Sequence, residues 1–174
     1  VQESKWSLYH IVLKSTPFLL MIPLMWIIVS LLIPYFNIDA AIYNIPMLVL
    51  TTLLTLASMF IGMLFSIAIP SQLKATELLM VISTPAFVLS GFTWPTLAIP
   101  DAITNIAQYI PLTQFLSGFR KIAFYGGGLS SIQPEIYMLL LIILVTFLAM
   151  LALLQFKIYS FKKKQKDLIK TTQN

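Results

Sequence analysis

Long uninterrupted runs of apolar residues dominate the chain and predict membrane-spanning helices. A helix rises about 1.5 Å per residue, so about 20 apolar residues cross a hydrocarbon core of ~30 Å. Three runs pass this test without a charged residue, at about 17–36, 42–69 and 136–156. A fourth, at about 75–94, contains Glu77 and Pro85, but the alternative leaves its apolar residues in water. The pattern therefore predicts an all-α membrane protein with four transmembrane helices.

Composition supports this class and excludes several others. Of the 174 residues, 59% are hydrophobic and 10% are charged, whereas soluble domains contain about 45–50% apolar and about 25% charged residues. The chain has no cysteine and one histidine, His10, which excludes a disulfide framework and thiolate metal sites. It has no phosphate-binding loop and no hydrolase or metalloprotease motif. An ATP site of that type and an intramembrane enzyme are therefore not expected.

The distribution of basic residues predicts the topology. Four spans place both termini on one side of the membrane, and nine lysines fall on that side: Lys5, Lys14, Lys74, Lys157, Lys162, Lys163, Lys164, Lys166 and Lys170. Arg120 and Lys121 fall on the other side and complete the total of eleven. Because basic residues accumulate on the cytoplasmic side, both termini are expected there.

These boundaries divide the chain into three parts. Residues 1–16 form a cytoplasmic lead-in, residues 17–156 form the transmembrane domain, and residues 157–174 form a basic cytoplasmic tail. The net charge of +5 is concentrated in this tail, which is typical of a segment that binds anionic membrane lipid. A nucleic-acid partner is not expected.

Residues 95–128, between the third and fourth spans, are too apolar for an ordinary exposed loop and too often interrupted for a span. The sequence predicts two short helices here, Asp101–Tyr109 and Thr113–Tyr125, the second ended by Gly126. We expect them to form a re-entrant pair that dips into the outer leaflet, where such backbone must pack on protein or line a wet cavity. The alternative is a hairpin that lies flat on the outer surface.

The end of the third span and the segment after it contain a set order of prolines, a Ser-Gly pair and an arginine. In chain order they are Pro85, Ser90, Gly91, Pro95, Pro100, Pro111 and Arg120. This order resembles that of the membrane-spanning permease subunits of ABC-2 type exporters. The resemblance assigns Ser90, Gly91, Pro95, Pro100, Pro111 and Arg120 to the re-entrant region of such a permease.

The resemblance implies partners and a location. Family members have six spans, so a chain with four looks like the C-terminal part of a permease that begins just before the third span. Two permease copies, identical or different, pair with two ATP-binding subunits, and the contact maps near Glu3 to Lys14. ATP and Mg²⁺ would bind to the partner, with no cofactor on this chain. The expected location is the bacterial plasma membrane.

Polar residues within the spans suggest where a pathway or a packing surface lies. Five small or hydroxylated residues share one face of the second span: Thr51, Thr55, Ser58, Gly62 and Ser66. Small residues at this spacing allow another helix to approach closely, within the chain or from another subunit, and the alternative is that the face lines a pathway.

The third span contains a candidate hinge at Ser83, Thr84 and Pro85. Pro85 cannot donate to the Val81 carbonyl, so we expect a kink, either static or mobile, with a nearby hydroxyl bonded to the freed group. We also expect an ion pair between Glu77 and Lys74, and the alternative is a salt bridge from Glu77 to a cytoplasmic partner. Arg120 is expected to pair with Asp101 or Glu135, or with a lipid headgroup.

The sequence thus leads to one main functional hypothesis and two alternatives. The main hypothesis is a permease subunit that exports a lipophilic or amphipathic substrate by alternating access while a partner hydrolyses ATP. The first alternative is a permease for a lipid-linked polysaccharide. The second is a membrane scaffold that transports nothing.

Overall fold

The described part of the chain is built from helices. A computed structural model of the protein describes residues 45–92 and 100–172, together with 20–28 and the single positions 13, 16, 17, 31 and 35. Its elements are α1 (described at 20–28), α2 (Ile45–Ala68), α3 (Gln72–Leu89), α4 (Asp101–Ala107), α5 (Pro111–Tyr125), a 3₁₀ turn (Leu129–Ile132) and α6 (Gln133–Thr172). These residues form no strand. The predicted all-α class is confirmed for this part of the chain.

Among the described residues, three segments are long and apolar enough to cross a membrane. They are Ile45–Ala68, Gln72–Leu89 and Leu129–Tyr159, and they correspond to the predicted second, third and fourth spans. Of the first predicted span, residues 17, 20–28, 31 and 35 are described and helical. The rest of that span and most of the predicted lead-in lie outside the described residues.

Two helices end at residues that differ from the ends of the predicted spans. The third span was expected to reach residue 94, but α3 ends at Leu89 because Ser90 and Gly91 form a turn in which Gly91 has a φ of 81°. At the other end of the chain, the predicted tail is helical as far as Thr172 because α6 runs on for 40 residues. At about 1.5 Å per residue α6 is ~60 Å long, about twice the thickness of a hydrocarbon core.

Helix α2 is the central element, and it packs mainly on α6 and α5. One buried cluster joins Leu50 of α2 to Ile122 of α5 and Leu139 of α6. A second cluster joins Met59 and Met63 of α2 to Met150 of α6. Helix α3 contacts its neighbours much less, and most of its apolar side chains are exposed.

A glycine sets the distance between α5 and α2. A Cβ atom on Gly118 would lie 2.8 Å from Cδ2 of Leu50, closer than side chains normally approach. The two helices therefore meet at their closest near the start of α2.

The two ends of α2 lie beside different basic residues. Gly118 of α5, which contacts Leu50 near the start of α2, is followed within one turn by Arg120 and Lys121. Near the other end, Lys157 Nζ donates a hydrogen bond to the carbonyl of Ile67. Arg120 and Lys121 therefore lie at the opposite end of the bundle from Lys157, as the predicted sorting of charge requires.

The two short helices form where the sequence predicts them. Helix α4 begins after Pro100, whose carbonyl accepts a hydrogen bond from the Ile103 amide at 2.9 Å. Helix α5 begins at Pro111, two residues earlier than expected, because a proline in the first turn has no amide that needs a partner. It ends at Gly126, which adopts the left-handed conformation with φ of 61° and so acts as the predicted terminator.

Candidate functional site

An apolar cavity of about 440 Å³ lies between α2, α3 and the connection from α4 to α5. Its lining residues are Ser58, Ile61, Gly62, Phe65, Leu79, Ile82, Ser83, Ala86, Phe87, Tyr109, Ile110, Pro111 and Leu112. None of these residues is charged, and the polar groups among them are the hydroxyls of two serines and a tyrosine. Such a lining suits an uncharged, largely apolar group, since a buried charge without a partner is costly.

The connection between α4 and α5 lies beside the middle of α2. Tyr109, Ile110 and Pro111 share the cavity with Ser58, which is near the centre of the 24 residues of α2. The turn is fixed by Gln114 Nε2, which donates to the Gln108 carbonyl at 2.6 Å. Helix α5 then returns toward the start of α2, where Gly118 contacts Leu50. The tip of this helical hairpin therefore lies level with the middle of a candidate span.

The polar face predicted on α2 is divided in the structure. Thr51 and Thr55 donate to the backbone carbonyls of Met47 and Thr51, at 2.8 and 2.9 Å. Ser58 and Gly62 line the cavity, whereas Ser66 is exposed and lies outside it. Among the described residues nothing lies within 4 Å of a Cβ atom built on Gly62, so no described helix approaches closely at this point. Gly62 therefore does not serve to pack another described helix closely against α2.

The candidate hinge on α3 contributes one residue to the cavity. Ser83 lines the cavity, while Thr84 and Pro85 do not. The Ser83 and Thr84 hydroxyls both donate to the Met80 carbonyl, at 3.1 and 3.2 Å. The sequence predicted a bond to Val81 instead; Met80 lies three residues before Ser83 and four before Thr84, so its carbonyl is within reach of both hydroxyls. The helix continues through Pro85, and a hinge movement there stays a prediction.

A polar cluster joins the end of α5 to the start of α6. Glu135 is 4% exposed, and its Oε1 atom accepts hydrogen bonds from Lys121 Nζ at 2.7 Å and from Ser117 Oγ at 2.8 Å. Lys121 also donates to the Ser131 carbonyl at 3.2 Å. The second carboxylate oxygen, Oε2, is buried and has no hydrogen-bond partner among the described side chains.

Two predicted ion pairs are wrong. Arg120 does not pair with Glu135, because its guanidinium donates to the Gly91 carbonyl and Lys121 occupies the carboxylate. Lys74 and Glu77, both described and both exposed, form no ion pair with each other. The Asp101 side chain and Pro95 lie outside the described residues.

Ser90 and Gly91, at the end of α3, are both buried. The Ser90 hydroxyl donates to the Phe87 carbonyl at 2.6 Å. Through the bond from Arg120 to the Gly91 carbonyl, this turn is tied to α5. The structure therefore brings Ser90, Gly91 and Arg120 together, away from the cavity that Pro111 lines.

Sequence reasoning missed three residues of this arrangement. Tyr109 lines the cavity, and Ser117 and Lys121 hold Glu135. A usable signal was present, since Ser117 and Lys121 are four residues apart and so share one helix face. In the described part of the chain, no group of three His, Cys, Asp or Glu residues is placed to hold a metal ion.

Comparison with known families identifies the chain. The family model of the ABC-2 type transporter matches residues 6–124, more than half of the sequence. The chain belongs to the ABC-2 type transporter family. The matched range includes α2 to α5 almost entirely and ends before α6. No curated protein and no solved structure matches the chain.

Membership of the ABC-2 family fixes the coarse role. The chain is a transmembrane component with a permease-type role in transport, and such components are generally not enzymes themselves. ABC-2 permeases generally work with an ABC ATP-binding subunit. The apolar helices agree with a multi-pass membrane protein.

Proposed function

We propose that this chain is the permease subunit of an ATP-driven exporter that moves a lipophilic or amphipathic substrate across the bacterial plasma membrane. The observation that carries the proposal is the uncharged, apolar cavity between two candidate spans of an ABC-2 family member. A partner subunit binds and hydrolyses ATP with Mg²⁺, since ABC-2 permeases generally work with an ABC ATP-binding subunit.

Two permease copies enclose the pathway, which opens to each side of the membrane in turn. The hairpin of α4 and α5 acts as the re-entrant pair on the outer side. Support comes from the position of Tyr109, Ile110 and Pro111 beside the middle of α2. Non-helical backbone at that depth is tolerated when it packs on protein or lines a wet cavity. In this hairpin the bond from Gln114 to the Gln108 carbonyl satisfies part of the exposed backbone.

The proposal places four spans in the membrane with both termini in the cytoplasm. The described spans support the last three crossings, and the opposite positions of Lys121 and Lys157 along α2 agree with the distribution of charge. The lysines of the tail then bind anionic lipid at the cytoplasmic face.

Two neighbouring residues of α3 offer a matched test of the cavity. Ser83 and Thr84 donate to the same carbonyl, but only Ser83 lines the cavity. We expect Ser83→Leu to fill part of the cavity and lower transport of a bound substrate by about tenfold, the effect of one or two misfitted methylenes in an apolar pocket. Thr84→Leu should leave transport nearly unchanged.

The measurement is substrate-stimulated ATP turnover and substrate efflux by the permease reconstituted with the ATP-binding subunit that copurifies with it. Equal effects of the two variants would argue against the cavity as the site. Failure of any ATP-binding subunit to copurify, with no stimulation of ATP turnover, would favour the membrane scaffold instead. Stimulation by a lipid-linked polysaccharide alone would favour the other alternative.

A further inference from the structure

The contact between α5 and α6 is made by a buried carboxylate. Lys121 Nζ and Ser117 Oγ both donate hydrogen bonds to Oε1 of Glu135, at 2.7 and 2.8 Å. Hydrogen bonds to an ionised group are shorter and stronger than those between neutral groups. Two side chains of α5 therefore hold one oxygen of a carboxylate on α6 that is 4% exposed.

This carboxylate lies where it controls the position of α5. Ser117 and Lys121 are one turn apart on α5, and Glu135 is in the first turn of α6. The opposite end of α5 begins with Pro111 and Leu112, which line the cavity. Helix α5 therefore connects the cavity to the ion pair as a single rigid element.

Among the described residues, the ion pair of Lys121 and Glu135 is the main polar link between α5 and α6. Arg120 is directed to the Gly91 carbonyl at the end of α3, and the buried cluster that joins α5 to α2 and α6 is apolar. Apolar contacts have no preferred direction, whereas an ion pair with hydrogen bonds fixes the direction in which two groups approach. Whether α5 stays with α6 thus depends on Glu135.

We propose that Glu135 is a positioning residue for transport. With Lys121 and Ser117 it fixes α5 to α6 in the conformation seen here, and release of this contact allows the α4–α5 connection to move at the cavity. This inference depends on the proposed function, because nucleotide binding to the partner would drive the movement.

The absence of cysteine from the chain makes a direct test possible. A single reporter cysteine is introduced at Gln108, next to the cavity residues Tyr109 and Ile110, where the labelling rate reports how much water reaches the cavity. Its rate of labelling by a maleimide is measured in the complex with the ATP-binding subunit, without nucleotide and with a non-hydrolysable ATP analogue. In the parent chain the analogue should change this rate.

Variants of the cluster should remove that dependence. With Glu135→Gln or Lys121→Met the labelling rate should become the same with and without the analogue, while Ser117→Ala should reduce the difference. Lys74→Met, which removes an exposed lysine far from the cluster, is the matched control and should behave as the parent. A purely stabilising role would lower the melting temperature and leave the response to nucleotide intact.

The outcomes separate the two proposals. A full response to nucleotide in folded Glu135→Gln and Lys121→Met would overturn the positioning role while the exporter assignment stands. If those variants fail to fold, Ser117→Ala provides the test, since it keeps the ion pair and removes one hydrogen bond. An unchanged response to nucleotide in Ser117→Ala would overturn the positioning role of Glu135. A parent chain with no response to nucleotide would overturn the exporter mechanism, and the positioning role with it.

Discussion

Lys121 and Glu135 form an ion pair whose partners differ in their exposure to solvent. The Glu135 side chain is 5% exposed and the Lys121 side chain is 38% exposed. Lys121→Met would leave a buried carboxylate with the Ser117 hydroxyl as its remaining side-chain donor. We expect a loss of stability of about 1–3 kcal/mol, the cost of an unsatisfied buried group, measured by thermal unfolding of the detergent-solubilised protein.

The double variant Lys121→Met with Glu135→Gln tests the cause of that loss. Because a neutral amide has a smaller desolvation cost than a carboxylate, the double variant should recover part of the stability. Lys74→Met, at an exposed position, should change stability by less than about 0.5 kcal/mol. A Lys121→Met variant as stable as Lys74→Met would contradict the importance of the pair.

The identity of this pair shows the limit of sequence reasoning for single residues. The sequence shows that Glu135 and a basic residue of α5 lie at the same side of the membrane, but not which basic residue. Arg120 and Lys121 differ by about 100° around the helix, so which of them faces α6 depends on how α5 packs on α2, where Gly118 contacts Leu50. That contact joins residues far apart in the chain, so no local pattern reveals it.

At the scale of helices, two glycines with different surroundings allow a matched comparison. A side chain at Gly118 would meet Leu50, which is fully buried, whereas one at Gly62 meets nothing within 4 Å among the described residues. Gly118→Val should therefore destabilise the protein by about 1–3 kcal/mol through overpacking. Gly62→Val should cost much less, and equal melting temperatures for the two variants would contradict the packing of α5 on α2.

The helices themselves could be predicted because their signals are local. Apolar runs locate α2 and α6, Pro100 and Pro111 mark the starts of α4 and α5, and Gly126 marks the end of α5. The cavity could not be predicted, because it depends on how deep the α4–α5 connection lies along α2. Ser58 and Ser83 appeared as separate features in the sequence, and tertiary packing brings them to one cavity.

At the scale of the whole molecule, the topology can be tested with single cysteines at three positions. Tyr125, 83% exposed at the end of α5, and Thr171, near the end of α6, are separated by one candidate span, Leu129–Tyr159. A membrane-impermeant maleimide should therefore label Tyr125→Cys in intact cells and label Thr171→Cys only after the membrane is opened. Thr171 is expected on the cytoplasmic side and Tyr125 on the outer side because the lysines are in excess on the side of the tail.

A third cysteine, Ser4→Cys, tests the crossing that precedes α2. Four spans place residue 4 on the same side as Thr171, so both should resist labelling in intact cells. Labelling of Ser4→Cys in intact cells would mean that the chain crosses the membrane three times. The predicted ATPase contact near Glu3 to Lys14 would then lie outside the cell, where a cytoplasmic partner cannot reach it. Labelling of Tyr125→Cys and Thr171→Cys from the same side would mean that α6 does not cross the membrane. The pathway proposed between α2, α3 and the hairpin would then not be enclosed within the bilayer.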